Sequence, residues 1–187
     1  MTTFSTEQPV QLALLTVSDR HTAATDDTGA MLTQALQAQG HQLCQRLFVA
    51  ENLYQIRATV SQLIADTKSQ VILLCGGTGF HAKNCTVAAI TPLFDREVPG
   101  FGELFRALSF QKIGSAALQS GAVAGIANQK LIFAVPGSMD AAKLAADQLI
   151  WPQLLAHTKP CNFTSLLRRA GACVVPHSDA APGVPHG

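Results

Sequence analysis

Three segments of this chain have residue types that suit the binding of an anion. The first, Gly-Gly-Thr-Gly at residues Gly76, Gly77, Thr78 and Gly79, directly follows the apolar run Val71–Cys75. Glycines at such a place let the backbone turn tightly and bring N–H groups close to a phosphate. No Gly-Lys-Ser/Thr follows, so this is not a Walker loop, and the spacing differs from G-x-G-x-x-G. We predict phosphate binding here; the alternative is a sharp turn without a ligand.

The second segment is Pro136-Gly137-Ser138, which also follows an apolar run and precedes a helical pattern. Serine is a favourable N-cap residue, and the free N–H groups of a helix N-terminus attract phosphate or carboxylate. Pro136, Gly137 and Ser138 are therefore candidate ligand-binding residues.

The third segment, Asp26-Asp-Thr-Gly29, opens the first predicted helix. Aspartate or threonine at such a position usually caps the helix and favours its dipole. The alternative is that Asp26 faces the site and holds Mg²⁺, which prefers hard oxygen ligands. His21 and His81 lie on the same loops but lack a second ligand at metal spacing. We expect both histidines to be exposed polar residues.

Short apolar runs alternate with helical patterns from about residue 10 to residue 163, which predicts a mostly parallel sheet covered by helices on both faces. In such a three-layer α/β fold, ligands bind outside the carboxyl ends of the strands. Three loops each follow a predicted strand, so we expect them to converge on one site: Ser18 to Asp27, Gly76 to Asn84 and Pro136 to Ser138. The predicted strands span 11–17, 41–49 and 71–75, with a hairpin of 122–126 and 131–135 around a four-residue loop; the predicted helices span 28–39, 53–64 and 139–150, the last ending before Pro152.

Composition limits the classes of partner. Only 13% of the 187 residues are charged, below the roughly 25% usual for soluble domains, which favours an oligomer that buries part of the surface. The net charge of +1 gives no electrostatic footprint for nucleic acid or for an acidic membrane. We find no apolar run of membrane-spanning length, and residues 1–9 lack the pattern of a signal peptide. The five cysteines include no C-x-x-C pair, so we expect no zinc site, no disulfide framework and a cytoplasmic location.

Several of these segments, taken together and in order, resemble the MoaB/MogA family of molybdenum cofactor biosynthesis proteins. The resemblance covers residues 10–163, and Thr158–Phe163 is similar to the MoaB branch; residues 164–187 are left as a C-terminal tail with a mobile end. The motifs that carry it are Thr16-Val-Ser-Asp-Arg20, Asp26-Asp-Thr-Gly29, Gly76-Gly-Thr-Gly79, Phe94-Asp-Arg-Glu-Val-Pro-Gly-Phe-Gly-Glu103, Gly125 and Pro136-Gly-Ser138.

The resemblance implies a Rossmann-like fold that assembles as a homo-trimer, or as a homo-hexamer in the MoaB branch. It also implies an adenylyltransferase that moves AMP from ATP to molybdopterin with Mg²⁺. Carried onto this chain, the glycine segment and Pro136–Ser138 would cradle phosphate and pterin, and Thr86 matches a family threonine. Asp26, Thr28, Gly29 and Glu103 would line the same pocket, with Asp26 as the metal ligand.

Three positions depart from the family pattern. Asn84 stands where the resemblance implies a catalytic aspartate, Ala88 replaces a carboxylate, and Gly121 lies where an arginine is usual. Asparagine offers Mg²⁺ only a neutral oxygen, and alanine offers none. Two main functions therefore remain open: a molybdopterin-binding protein with impaired catalysis, and an active adenylyltransferase that uses Mg-ATP. An unrelated Rossmann-like binder is a third alternative.

Overall fold

The computed structural model describes residues 9–167 and contains one six-stranded sheet with helices on both faces. Strands β1, β2, β3 and β6 are parallel, whereas β5 and β4 run antiparallel to their neighbours, in the order β2-β1-β3-β6-β5-β4. The predicted mostly parallel α/β sheet is confirmed. The strands are β1 Gln11–Val17, β2 Gln42–Val49, β3 Val71–Cys75, β4 Arg96–Glu97, β5 Val123–Ala127 and β6 Lys130–Val135; the helices are α1 Asp27–Ala38, α2 Leu53–Ala65, α3 Thr86–Ile90, α4 Pro99–Ile113, α5 Met139–Ala145, α6 Trp151–Leu154 and α7 Thr164–Leu167.

Two apolar cores lie on opposite faces of the sheet because successive residues of a strand point to opposite sides. Leu12 and Leu14 of β1 pack with α1, α4 and α5, where the Phe101 and Phe133 rings lie 5.1 Å apart. Ala13 and Leu15 pack against α2 and α3 on the other face. The central strands are therefore covered on both sides, which leaves the strand ends and their loops as the places where a ligand can reach the sheet.

The hairpin between β5 and β6 has a two-residue loop, so the predicted four-residue loop is wrong. Ala127 pairs with Lys130, and only Asn128 and Gln129 lie between the strands. Both have positive φ, +46° and +61°, as a type I′ turn requires. The strand pairing thus extends one residue further on each side than the apolar pattern indicated.

The last predicted helix also differs from the structure. Helix α5 ends at Ala145, a π-helical turn follows over Ala146–Ile150, and α6 continues through Pro152. The predicted end before Pro152 is wrong, because helical backbone continues without a break from Met139 to Leu154. The π-helical turn changes the hydrogen-bond register just before the proline, where the Trp151 N–H donates to the Ala146 carbonyl.

Lys130 is a buried charge at the end of the sheet opposite the predicted site. Its Nζ donates to the Leu63 carbonyl at 2.6 Å and to the Asp66 carbonyl, and it forms an ion pair with Asp66 Oδ1 at 3.4 Å. These carbonyls end α2, where helical N–H partners are missing and a cation is favourable. Burial lowers the pKa of Lys130, and the Asp66 carboxylate opposes that effect.

Packing extends four residues beyond the predicted domain end at residue 163. Helix α7 places Leu167 in the core, and Gln70 Nε2 donates to the Leu167 carbonyl at 3.2 Å. The remainder of the predicted tail lies outside the described residues. Within 9–167, no helix combines the length and apolar character needed to cross a membrane.

Candidate functional site

A cleft of about 300 Å³ opens at the carboxyl ends of β1, β3 and β6. All three predicted loops contribute to it, so their convergence is confirmed. Its walls also contain Glu51, at the end of β2, which the sequence analysis did not single out. The lining residues are Thr16, Val17, Ser18, His21, Asp26, Glu51, Cys75, Gly76, Gly77, Thr78, Gly79, Asn84, Pro136 and Gly137.

The glycine loop has a conformation that only glycine adopts without strain. Gly76 and Gly77 have φ of +109° and +65°, and a Cβ on Gly76 would lie 2.4 Å from the Val17 carbonyl oxygen. Thr86 is fully buried behind the loop and does not line the cleft. Its hydroxyl donates to the Gly76 carbonyl at 2.8 Å, and its N–H donates to the Gly77 carbonyl at 3.0 Å. Thr86 therefore supports the loop from behind.

Thr78 is the one loop residue with an unsatisfied side chain. Its residue is 4% exposed and lines the cleft, yet its hydroxyl has no hydrogen-bond partner among the described residues. A buried hydroxyl without a partner is unfavourable by about 1–3 kcal/mol. A bound ligand with a hydrogen-bonding oxygen would remove this cost.

Asp26 is the N-cap of α1 and the centre of a hydrogen-bonded cluster. Its Oδ1 accepts from the Gly29 N–H at 2.8 Å, and its Oδ2 accepts from the Thr16 hydroxyl at 2.6 Å. Arg46, on β2, contacts Oδ2 at 3.2 Å and donates to the Asp26 carbonyl at 3.1 Å. Gly29 is necessary because a Cβ there would lie 2.1 Å from Oδ2.

The charge of this cluster is already balanced within the protein. Burial raises the pKa of Asp26, but the hydrogen bonds from Thr16 and Gly29 and the Arg46 guanidinium outweigh it and lower that pKa below the ordinary value. Arg46 thus supplies the positive charge that a magnesium ion would bring. Among residues 9–167, no group of three or more histidine, cysteine, aspartate or glutamate side chains is placed to hold a metal. The assignment of Asp26 as a magnesium ligand stays a prediction.

Asn84 lies in the cleft beside Glu51. The Asn84 Nδ2 group donates to Glu51 Oε2 at 3.1 Å, and Asp19 Oδ1 accepts from the Glu51 N–H at 2.9 Å. A strand-end carboxylate and a loop amide therefore meet where the resemblance implied a catalytic aspartate. Glu51 lies two residues after the end of β2, and the rule that ligands bind at the carboxyl ends of strands could have identified it.

Cys75 also lines the cleft but is unsuited to act as a nucleophile. Burial, with a smaller contribution from the Asp26 carboxylate, raises the pKa of Cys75 to about 12. The thiol is therefore protonated at neutral pH, and the thiolate is the reactive form.

The third loop is tied to the first through its backbone. Thr28 Oγ1 donates to the Gly137 carbonyl at 3.2 Å, while Pro136 and Gly137 line the cleft. Ser138 occupies the N-cap position of α5, but its side chain makes no capping hydrogen bond. Thr28 and Ser138 therefore border the site without lining it.

The structure does not bring Glu103 to this cleft. Glu103 lies on α4 and lines a second cleft of about 170 Å³. His21 lines the first cleft, with Nδ1 3.1 Å from the Thr25 carbonyl, whereas His81 is exposed outside it. The two histidines thus differ in position, although the sequence treated them alike.

Ala88 lies on the exposed side of α3, outside the cleft lining. Its carbonyl accepts from Arg57 Nη2 of α2 at 3.2 Å. A carboxylate at position 88 would therefore face solvent near Arg57 rather than the cleft.

Gly121 packs directly behind the glycine loop, where a Cβ would lie 1.8 Å from the Thr78 carbonyl oxygen. We expect Gly121→Ala to lower the free energy of unfolding by about 1–3 kcal/mol, because the loop must shift to make room. Gly121→Arg should be worse and should not restore a phosphate contact. Gly100→Ala is the control, since a Cβ there meets nothing within 4 Å. Urea unfolding of the three variants measures the effect, and equal stabilities of the two alanine variants would contradict it.

Comparison with known proteins identifies the family. Residues 13–156 match the family described as "Probable molybdopterin binding domain". Molybdenum cofactor biosynthesis protein B of Escherichia coli (strain K12) is 49% identical over 161 residues, covering 86% of this chain and 95% of that protein. The protein of the same name from Bacillus subtilis (strain 168) is 40% identical over 146 residues, covering 78% of this chain and 86% of that protein.

A solved structure of Molybdenum cofactor biosynthesis protein B has the same fold. It superimposes with a TM-score of 0.80 at 34% identity, covering 87% of this chain and 98% of that chain. The sequence and the fold agree on the family. The chain therefore belongs to the MoaB/MogA family of molybdopterin-binding proteins.

Proposed function

We propose that this protein binds molybdopterin at the glycine-loop cleft and acts in molybdenum cofactor biosynthesis with impaired adenylyltransferase activity. The observation that carries the proposal is the contact between Asn84 and Glu51. The cleft keeps the backbone groups and the unsatisfied Thr78 hydroxyl that suit a phosphate. It has an amide where the reaction would require a second carboxylate for Mg²⁺.

Binding and catalysis place different demands on this cleft. Backbone N–H groups at a glycine loop bind phosphate without any contribution from the side chain at position 84. Transfer of AMP concentrates negative charge on phosphate oxygens, and Mg²⁺ stabilises that charge. Losing such an electrostatic group typically costs about 2.7–4 kcal/mol, or about 100- to 1,000-fold in rate. The proposed protein therefore keeps affinity and loses most of its turnover.

The second candidate function is an active molybdopterin adenylyltransferase that uses Mg-ATP. Glu51 favours it, because this carboxylate lines the cleft and lies within reach of a ligand bound to the glycine loop. Glu51 and the Asn84 carbonyl oxygen would then be the groups that hold Mg²⁺. The cation would neutralise phosphate charge during the transfer.

The deciding experiment measures binding and chemistry on the same sample. Molybdopterin binding is measured at equilibrium, and the protein is then incubated with molybdopterin and Mg-ATP before chromatography for adenylylated pterin. We expect binding with little or no adenylylated product. Rapid transfer of AMP would favour the active adenylyltransferase over the protein with impaired catalysis. Absence of molybdopterin binding would overturn both candidate functions.

We also propose that the protein self-associates as a trimer or a hexamer. Leu104, Phe110, Ile113 and Leu118, on α4 and the segment after it, are all more than half exposed. Large exposed apolar side chains such as these are typical of surfaces that bind another protein. We expect Phe110→Glu with Leu118→Glu to dissociate the assembly, whereas Tyr54→Gln, on α2, should leave it intact. Sedimentation velocity measures the mass, and a monomeric natural protein at micromolar concentration would contradict the proposal.

We also propose that the protein is located in the cytoplasm. Cys44, Cys75, Cys85 and Cys161 are all free thiols, as a reducing compartment allows.

A further inference from the structure

The loop between β1 and α1 brings a histidine to the first cleft. His21 lines this cleft, although it belongs to none of the motifs that carry the family resemblance. Its loop begins beside the glycine loop, because β1 pairs with β3 and a Cβ on Gly76 would lie 2.4 Å from the Val17 carbonyl oxygen. An imidazole and the phosphate-binding backbone therefore border the same small space.

Hydrogen bonds within the loop fix the backbone that carries His21. The Ser18 hydroxyl oxygen accepts from the His21 N–H at 3.2 Å. Beyond the histidine, the Thr22 N–H donates to Thr25 Oγ1 at 2.9 Å, and the Thr25 N–H donates back to the Thr22 carbonyl at 3.1 Å. These side-chain-to-backbone bonds form tight turns on both sides of residue 21. His21 thus projects from a defined turn although its side chain is exposed.

The two ring nitrogens of His21 have different surroundings. Nδ1 lies 3.1 Å from the Thr25 carbonyl oxygen. A carbonyl oxygen can only accept a hydrogen bond, so Nδ1 must carry a proton. Nε2 has no hydrogen-bond or ion-pair partner between residues 9 and 167. The contact with Thr25 therefore holds the ring and leaves Nε2 for a ligand.

A phosphate monoester suits an imidazole nitrogen in this position. Near neutral pH such a phosphate exists with and without its last proton, because its second ionisation occurs at about pH 6. A protonated phosphate donates its O–H to the lone pair of a neutral Nε2, and a dianionic phosphate accepts from an imidazolium Nε2–H. One hydrogen bond forms in either case, and in both cases an ionised group strengthens it.

We propose that His21 binds the terminal phosphate of molybdopterin through Nε2, together with the backbone of the glycine loop. The proposal rests on the function proposed above. The glycine loop supplies N–H groups that accept any anion of suitable size. His21 adds a side chain that can either donate or accept a proton, so it favours a phosphate monoester.

Two isosteric substitutions separate ligand binding from support of the loop. In His21→Asn the side-chain amide can replace Nδ1 and donate to the Thr25 carbonyl, but nothing replaces Nε2. In His21→Gln the amide reaches the position of Nε2 and the contact with Thr25 is lost. We expect His21→Asn to weaken molybdopterin binding about 10- to 100-fold, as the loss of a charge-assisted hydrogen bond does. His21→Gln should lose less, because a neutral donor remains.

The ligand provides the matching comparison. Molybdopterin and its dephosphorylated form, prepared with a phosphatase, are titrated into the full-length natural protein and each variant. His21→Asn should weaken binding of molybdopterin and leave the affinity for the dephosphorylated form unchanged, since the removed contact is to the phosphate. His81→Asn is the control, because His81 is an exposed histidine outside the cleft lining. It should change neither affinity.

The outcomes distinguish this inference from the proposed function. If the natural protein and His21→Asn bind molybdopterin equally well, His21 does not contact the phosphate, while the proposed function stands. The same conclusion follows if His21→Gln is weaker than His21→Asn, the order that a purely structural role predicts. Equal losses for both forms of the ligand would also overturn the inference. If the natural protein does not bind molybdopterin, both proposals are overturned.

Discussion

Asp26→Ala should lower the free energy of unfolding by about 3–5 kcal/mol, since removing one partner of a buried ion pair leaves the other charge uncompensated. The side chains of Asp26 and Arg46 are 3% and 23% exposed, and the variant would also remove the cap of α1. Asp27→Ala is the matched control, because Asp27 is exposed in the same helical turn. It should cost less than about 1 kcal/mol. Urea unfolding at neutral pH measures the difference, and similar losses in both variants would contradict the role of the cluster.

The contribution of the Asp26 charge should also depend on pH in a defined direction. The pKa of Asp26 is lower in the folded protein than its ordinary value of 3.8. The ionised carboxylate therefore stabilises the fold at pH values above 3.8. That stabilisation should disappear as the pH falls through the lowered pKa. The free energies of unfolding of the natural protein and of Asp26→Ala, measured by urea unfolding, should therefore become more similar as the pH falls. A difference that grows in acid would contradict the lowered pKa.

Asn84→Asp is expected to increase AMP transfer to molybdopterin by about 100- to 1,000-fold. The substitution puts a carboxylate within about 3.1 Å of Glu51 Oε2, where the amide now donates. Two carboxylates at that distance repel unless a proton or a cation lies between them. Mg²⁺ is a suitable cation, because it prefers hard oxygen ligands and is often held by one or two carboxylates together with substrate phosphates.

The same variant should acquire a dependence on magnesium that needs no substrate. Without Mg²⁺ the variant should unfold at a lower temperature than the natural protein. Added Mg²⁺ should raise its unfolding temperature part of the way back. Asn84→Ala serves as the control and should respond to Mg²⁺ no more than the natural protein does. Single-turnover adenylylation and thermal unfolding with and without Mg²⁺ test both expectations. A variant that binds molybdopterin but shows neither effect would place the metal elsewhere.

The pattern of carboxylate replacements in the sequence suggested that Ala88→Glu would act on the same ion as Asn84→Asp. The position of Ala88 on the exposed side of α3 removes that expectation. We expect the double variant to be no more active than Asn84→Asp alone, and the same kinetic comparison tests it.

The sequence predicted the glycine loop and its partners well because the signal is local. A buried apolar strand followed by glycines fixes both the element and the loop after it. Glu51 and Arg46 were missed for a different reason. Arg46 lies in β2, a strand of intermediate burial with a weak apolar pattern, and Glu51 follows that strand by two residues. Neither stands next to glycine or another carboxylate. Their roles depend on which strand lies beside β1, and that neighbour is set by tertiary packing.

Glu103 shows that the order of motifs in the sequence does not predict which cleft a residue lines. It lies in a recognisable motif, but α4 packs near β5, on the antiparallel side of the sheet, rather than beside the carboxyl ends of β1 and β3. Motif order cannot distinguish these two places. Similarly, Asn128-Gln129 lacks the glycine that most often marks a two-residue hairpin, so the apolar pattern gave too long a loop.

The central strands, buried on both faces, bear on how such a protein can change over evolutionary time. A substitution in β1 or β3 must fit a packed neighbourhood, so few will be tolerated there. The cleft lies at the strand ends and is formed largely by the backbone of loops. Selection for a stable fold therefore exerts little pressure on a cleft side chain such as Asn84. A lineage can exchange that residue and alter its chemistry while fold and ligand recognition persist, which is one route by which a duplicated enzyme becomes a carrier.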